Sequence, residues 1–224
     1  MKGYIKSKFS QRSFENIKNV SFEYKRMTTR WFQKKRKVTA QKPNLQLGAG
    51  IRKVTGFVNV DLSGADVNLD LTYKTLPWKD NSFENIVSQH LIEHLYIKDE
   101  LIPLLTELHR ILQENGTLWL ATPDMEKICK AYLHDKCATL VLDRIERMPE
   151  WSLGDYPSQH MVNDLFHQEG EHKNLFDFDF LKWILNQAGF TNIEKIAEQD
   201  LINQFPDFPR RNDELHALYV KAIK

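Results

Sequence analysis

Two groups of residues in this 224-residue chain have types and spacings suited to chemistry. The first is Leu47-Gly48-Ala49-Gly50, with Asp61 and Asp70 behind it, each following a short apolar stretch. A strand that feeds glycines lets the backbone approach a ligand closely at the carboxyl edge of a parallel sheet. A carboxylate closing the next strand can take the hydroxyls of a ribose, and one closing the third strand can reach an adenine edge. A dinucleotide pyrophosphate needs a third small residue three positions past Gly50, and Lys53 stands there. A phosphate loop ending in Gly-Lys-Ser/Thr is absent as well. A ligand with ribose and adenine but no pyrophosphate fits S-adenosylmethionine. A lone Gly-x-Gly is also compatible with a tight turn that binds nothing.

The second group could handle protons. His90, Asp124, His160, His167 and His172 fall in segments expected at the carboxyl edge of the sheet. A sugar hydroxyl acceptor needs a general base such as His, Asp or Glu, whereas a nitrogen or enol acceptor needs only alignment and desolvation. His90, Asp124 and His172 are the catalytic candidates. Each has a structural alternative: His90 can pack beneath the next helix, and Asp124 can cap the helix that follows it. Glu93 and His94 suit the first turn of a helix. His167 and His172, without a further Cys or His cluster beside them, fall short of a zinc site, and no metal is expected. Trp151, Tyr156, Phe166 and Phe176 suit either an aromatic acceptor wall or a hydrophobic cover.

Short apolar runs alternating with helical periods must position these groups. Strands are expected at 44–47, 57–62, 67–69, 85–88 and 117–122. Leu101, Ile102, Leu104, Leu105, Leu108, Ile111 and Leu112 form one helical face, with Asp99 as its N-cap and Glu114-Asn115-Gly116 as its closing turn. Residues 125–148 suit an irregular helix and 151–174 a loop. Phe178, Leu181, Ile184, Leu185 and Ala188 form another helical face, followed by closing strands at 191–197 and 215–223. The pattern implies one α/β domain: a Rossmann-like doubly wound sheet, mostly parallel with an antiparallel C-terminal strand, and helices on both faces. Only ten residues separate Gly50 from Asp61, so the first crossover helix must be very short or replaced by a loop.

Charge divides the chain near residue 40. Residues 1–40 hold twelve Lys/Arg and two Glu, whereas 41–224 hold 19 basic and 28 acidic residues. The first part is a basic, partly helical arm on which Phe14, Ile17, Tyr24, Met27 and Trp31 recur at helical spacing. That arm suits packing on the domain through its apolar stripe, peripheral contact with an anionic membrane through residues 1–37, or nucleic acid. No apolar run is long enough to span a bilayer and no secretory signal is evident, and the two cysteines form no disulfide scaffold. A cytoplasmic enzyme, in peripheral contact with a membrane in the second of these readings, is expected.

Six segments in order resemble the class I S-adenosylmethionine-dependent methyltransferases of small stand-alone type (methyltransferase type 11-like). They are Leu-Gly-Ala-Gly at 47–50, Asn-Val-Asp-Leu at 59–62, Leu-Pro-Trp-Lys-Asp-Asn-Ser-Phe-Glu at 76–84, Ser-Gln-His-Leu-Ile-Glu-His-Leu at 88–95, Leu-His-Arg-Ile-Leu-Gln-Glu-Asn-Gly-Thr-Leu at 108–118, and Ala-Gly-Phe at 188–190. The resemblance implies S-adenosyl-L-methionine as cofactor, with Leu47, Gly48, Ala49 and Gly50 at its methionine end and Asp61 and Leu62 at the ribose. Asp70 and Leu71 would flank the adenine, and Gln89 and His90 would sit under the sulfonium and acceptor. His-containing segments like 167–172 cover the acceptor pocket in related enzymes. Small-molecule or glycan- and lipid-linked acceptors are expected. An RNA or protein methyltransferase using the basic arm, or a catalytically silent cofactor-binding subunit, is the alternative; the Asn/Asp-Pro-Pro-Tyr signature of many nucleic-acid enzymes is replaced here by Ser-Gln-His.

Overall fold

The alternating apolar runs form one seven-stranded sheet. The computed structural model describes residues 10–33, 37–73 and 75–224. Strands β1 (Asn44–Leu47), β2 (Phe57–Asp61), β3 (Val67–Asn68), β4 (Phe83–Gln89), β5 (Leu112–Pro123), β6 (Thr191–Ile196) and β7 (Ala217–Ile223) lie in the order β3-β2-β1-β4-β5-β7-β6. The first five are mutually parallel, and β7 runs antiparallel to both β5 and β6. Strand order reverses between β1 and β4, which places a crevice at their carboxyl ends.

Period-two alternation sends Leu45, Leu47, Val58, Val60, Ile86, Leu118, Leu120, Leu218 and Val220 into the larger core. Helices α2 (Ile102–Ile111) and α6 (Phe178–Gln187) cover that face with Leu105, Leu108, Leu181 and Ile184. Phe57, Val87, Trp119, Ala121 and Tyr219 point to the opposite face, closed by Leu201 and Ile202 of α7 (Glu198–Gln204) and by Phe205 and Phe208. Helices α3 (Met125–Asp135), α4 (Ala138–Arg147) and α5 (His160–His167) build a separate small core from Ile128, Cys137, Leu140, Met161 and Leu165.

Several boundaries differ from the sequence reading for local reasons. A π-helical turn at Ile97–Leu101 precedes α2, so Asp99 lies inside it and caps nothing, while Pro103 falls in the first turn of α2 as expected. The Glu114-Asn115-Gly116 turn is absorbed into β5 as a bulge, with Asn115 at φ +62°. Left-handed Lys136 and Cys137 split residues 125–148 into two helices. The segment read as a loop at 151–174 contains α5, and the link between β6 and β7 contains α7.

The β1–β2 link has no helix. Side chains hold it instead: Gln46 Nε2 donates to Arg52 O at 3.0 Å, and Asn59 Oδ1 accepts from Val54 N at 2.9 Å while its Nδ2 donates to Val54 O at 3.2 Å. These buried amides meet the backbone groups that a crossover helix would have paired with itself.

The basic arm forms α1 (Gln11–Gln33), with Ser10 Oγ accepting from Ser13 N at 3.2 Å in an N-cap. Its apolar stripe does not pack on the domain. Ile17, Val20, Tyr24, Met27 and Trp31 stand exposed, Trp31 at 75%; the Phe14 side chain and Lys34, Lys35 and Arg36 lie outside the described residues. The helix docks through its polar side. Arg26 and Arg30 donate to Asp70 Oδ2 at 3.2 and 2.5 Å, Arg26 also pairs with Glu100 at 3.0 Å, and Gln33 Oε1 accepts from Asp70 N at 3.0 Å. Asp70 is buried. Burial would raise its pKa, but Thr72, Arg26 and Arg30 outweigh that and hold the carboxyl below its usual range.

Removing one member of a buried ion cluster strands the others. Asp70→Asn is therefore expected to lower stability by about 2 kcal/mol or more and to speed tryptic cleavage within α1. Thermal melts and limited proteolysis measure this, and unchanged cleavage would show that the ion pairs do not hold the helix.

Candidate active site

The carboxyl ends of β1, β2, β4, β5 and the start of β7 meet around the glycine turn. Gly48 has φ +65°, and a Cβ added there would stand 3.3 Å from Leu91 Cβ. Gly50, at φ +51°, donates its N–H to Asp61 Oδ2 at 2.8 Å, and Leu62 N donates to Asp61 Oδ1 at 2.6 Å. Each Asp61 oxygen keeps lone-pair capacity for a further donor. Leu47 and Ala49 are buried beneath the turn, and Leu71 is buried beside Asp70.

Gln89, at the end of β4, accepts from Arg211 Nε at 2.8 Å through Oε1, while its buried Nε2 has no hydrogen-bond partner. Ser88 Oγ, Glu93 Oε1 and His216 Nδ1 are likewise buried without a hydrogen bond. Such orphaned groups are costly in a dry interior, and a ligand or ordered water there would complete their bonding.

His90 follows Gln89 in the left-handed region, at φ +52°, an uncommon conformation for a side chain of this size. Its Nε2 lies 2.7 Å from Asp213 Oδ2 and its Nδ1 3.3 Å from Glu93 Oε1. Burial alone would push the imidazole pKa down; the hydrogen bond to Asp213 and the Glu93 carboxylate outweigh it and hold it up at about 9. Burial likewise opposes ionisation of Asp213, yet His90 and the Tyr219 hydroxyl, which donates to Asp213 Oδ1 at 2.7 Å, keep it ionised. His90 is thus an imidazolium at neutral pH. In that form it would orient and donate rather than take a proton.

Asp124 is buried and caps α3, with Oδ1 accepting from Glu126 N at 2.9 Å and Lys127 N at 3.3 Å. His172 lies beside His94, with ring centroids 4.8 Å apart, and its Nδ1 is 2.7 Å from Leu165 O. Burial pushes the His172 pKa down, so it is neutral. His167 is exposed, and His160 stacks on exposed Tyr156. The four aromatics form no common wall: Phe176 belongs to the main core, Trp151 and Phe166 cover the small core, and Tyr156 faces solvent. The Asp70 carboxylate, expected at an adenine edge, accepts from Arg26, Arg30 and Thr72.

Sequence reasoning missed Asp213, Glu93, Arg211 and His216. Three of these lie just before β7, far from any motif, and only the antiparallel return of that strand beside β5 brings them to His90.

A methyltransferase-domain family model matches residues 9–195. The chain belongs to the methyltransferase-domain family. No curated protein matches the sequence. Among solved structures, the methyltransferase is similar in fold to a SAM-dependent methyltransferase from Archaeoglobus fulgidus, at 14% identity over 83% of this chain and 88% of that one, with a TM-score of 0.49. A methyltransferase from Mesorhizobium loti aligns at 17% identity over 84% and 93% of the two chains, TM-score 0.46. A possible histamine N-methyltransferase from Thermotoga maritima aligns at 14% identity over 82% and 83%, TM-score 0.47.

The residues present fit S-adenosylmethionine, the family's cofactor: the close approach at Gly48 and the lone pairs of Asp61 suit its methionine and ribose ends, and the orphaned Gln89 Nε2 is a donor free for an oxygen of the ligand. When bound, it supplies an activated methyl group. Asp61 holds the loop and would also hold the ribose, so Asp61→Ala is expected to weaken cofactor binding about 100-fold, the loss of two charge-assisted hydrogen bonds. Calorimetry with S-adenosylmethionine measures it; wild-type affinity would remove Asp61 from the ribose.

Proposed function

We propose that this S-adenosylmethionine-dependent methyltransferase acts on a small-molecule or lipid-linked glycan acceptor that carries an anionic group. The observation supporting this is Arg211. Its guanidinium is largely buried beside Gln89, and among the described residues no carboxylate pairs with it. Burial and then the charge of Arg52 push its pKa down, and the more distant Asp213 and Glu93 offset this only in part. A phosphate or carboxylate on the acceptor supplies that charge and fits the guanidinium fork. The cationic His90 adds to the same field and steadies the acceptor. No helix among the described residues is long and apolar enough to cross a membrane.

Arg211→Gln is expected to raise the acceptor KM at least 10-fold, the loss of one charged hydrogen bond, with cofactor affinity unchanged. Steady-state kinetics over a panel of anionic and neutral acceptors, with parallel cofactor calorimetry, measures it. A loss confined to cofactor binding would assign Arg211 to the methionine carboxylate and overturn the acceptor reading.

The exposed face of α1 favours a membrane-surface setting. Five large apolar residues from Ile17 to Trp31 share one side, and the first 40 residues hold twelve cations against two acids. Arg26 and Arg30 are turned inward onto Asp70, which leaves less basic surface for RNA. The protein is expected to float with vesicles containing anionic phospholipid and not with zwitterionic ones. The Met27→Glu/Trp31→Glu variant is expected to lose that recovery; equal recovery of variant and wild type would dispose of the contact.

A further inference from the structure

We propose that Glu93, His94 and His172 form a site for a divalent transition-metal ion. One ligand atom from each lies within 4.8 Å of the others. Three ligands about 2.1 Å from one ion stand roughly 3.4 Å apart in tetrahedral geometry, so closure takes side-chain movements of about an ångström.

The chemistry of each group favours an ion over an accidental cluster. His94 Nδ1 lies 3.2 Å from Glu171 O, and His172 Nδ1 lies 2.7 Å from Leu165 O. A carbonyl only accepts, so each Nδ1 carries the hydrogen and each Nε2 keeps its lone pair. This is the outer arrangement that fixes metal-ligating imidazoles. Glu93 is 1% exposed, and its Oε1 is buried without a hydrogen bond, although His90 Nδ1 stands 3.3 Å away at an angle that completes none. Its Oε2 accepts from Thr122 Oγ1 at 3.3 Å, which orients the carboxylate.

The backbone assembles the three beforehand. Lys173 N and Asn174 N both donate to Glu93 O, at 2.7 and 3.2 Å, and the Asn174 side chain donates to Leu95 O. Residues 172–174 are therefore laid along the 93–95 turn, which sets His172 against the His94 ring. The sequence pairing of His167 with His172 gave no reason to expect a metal. The fold replaces His167 by His94 and Glu93, 78 and 79 residues before His172.

Two imidazoles and one carboxylate suit Zn²⁺, Mn²⁺, Fe²⁺ or Co²⁺ better than the all-oxygen preference of Ca²⁺ and Mg²⁺. Three protein ligands leave a coordination position open, the pattern of a catalytic rather than a structural site. An acceptor oxygen beside His90, whose Nδ1 stands 3.3 Å from Glu93 Oε1, would lie close to such an ion. Only this last placement rests on the acceptor reading above; metal uptake does not.

The test uses full-length protein freed of metal by chelation, with no acceptor present. Calorimetric titration with Zn²⁺ and visible spectroscopy with Co²⁺ are expected to show one equivalent per chain, micromolar or tighter, with cobalt bands typical of nitrogen and oxygen ligands. His94→Ala and His172→Ala are each expected to weaken uptake at least 100-fold while far-ultraviolet dichroism and cofactor calorimetry remain as in wild type. His167→Ala, in the neighbouring turn, is expected to bind metal normally. Should an alanine variant fail to fold, His94→Gln or His172→Asn takes its place. Absence of stoichiometric uptake by the wild type, or equal uptake by the His94 and His172 variants, overturns the site.

Discussion

Two carboxylates are buried at the carboxyl edge of this sheet because one imidazolium lies between them. Asp213 and Glu93 are both nearly inaccessible, and His90 touches each. Placing charges in a dry interior is unfavourable unless they are paired and hydrogen-bonded. That condition explains several otherwise separate features. His90 adopts a left-handed backbone so that its ring can reach both partners, and Tyr219 gives its hydroxyl to Asp213 rather than to solvent. The segment before β7 must return to β4 across the end of β5. The cluster holds together elements distant in the chain, and it imposes a fixed electrostatic pattern where the methyl group would be delivered.

The missing crossover helix between β1 and β2 has a matching effect on the cofactor side. A helix N-terminus there would present free N–H groups and a positive dipole end. In this chain Asp61 takes the Gly50 N–H directly, and Gln46 and Asn59 satisfy the remainder of the link. Polar residues at internal strand positions, which look like defects in an apolar pattern, turn out to be the supports of the turn.

The fold class was legible because its signals are local. Strand–turn–helix alternation, the acids closing β2 and β3, and the apolar face of α2 all depend on neighbours within a few residues. The glycine turn was legible where motif and geometry coincide: Gly48 and Gly50 take positive φ, and Asp61 accepts from Gly50 N. His172 was noticed, but its partners were not, since His94 and Glu93 look like an ordinary helical turn until residues 172–174 pair with them. Arg211 and Asp213 carry no local signature. The N-terminal helix was legible as a helix, yet its orientation was not: periodicity identifies an apolar side, whereas the buried charge of Asp70 decides which side faces the domain.

The position of β7 governs when the sheet can be joined. It follows the other six described strands in sequence and lies between β5 and β6, which therefore have no common neighbour until residues 217–223 have been made. A ribosome-bound chain lacking them presents an open edge at β5, the kind of edge that recruits other strands. Asp213 arrives in the stretch just before β7, so His90 lacks this counter-charge until then. Sheet closure and completion of the charged cluster are one event, and truncation before residue 213 would remove both the edge protection and the charge balance of the site.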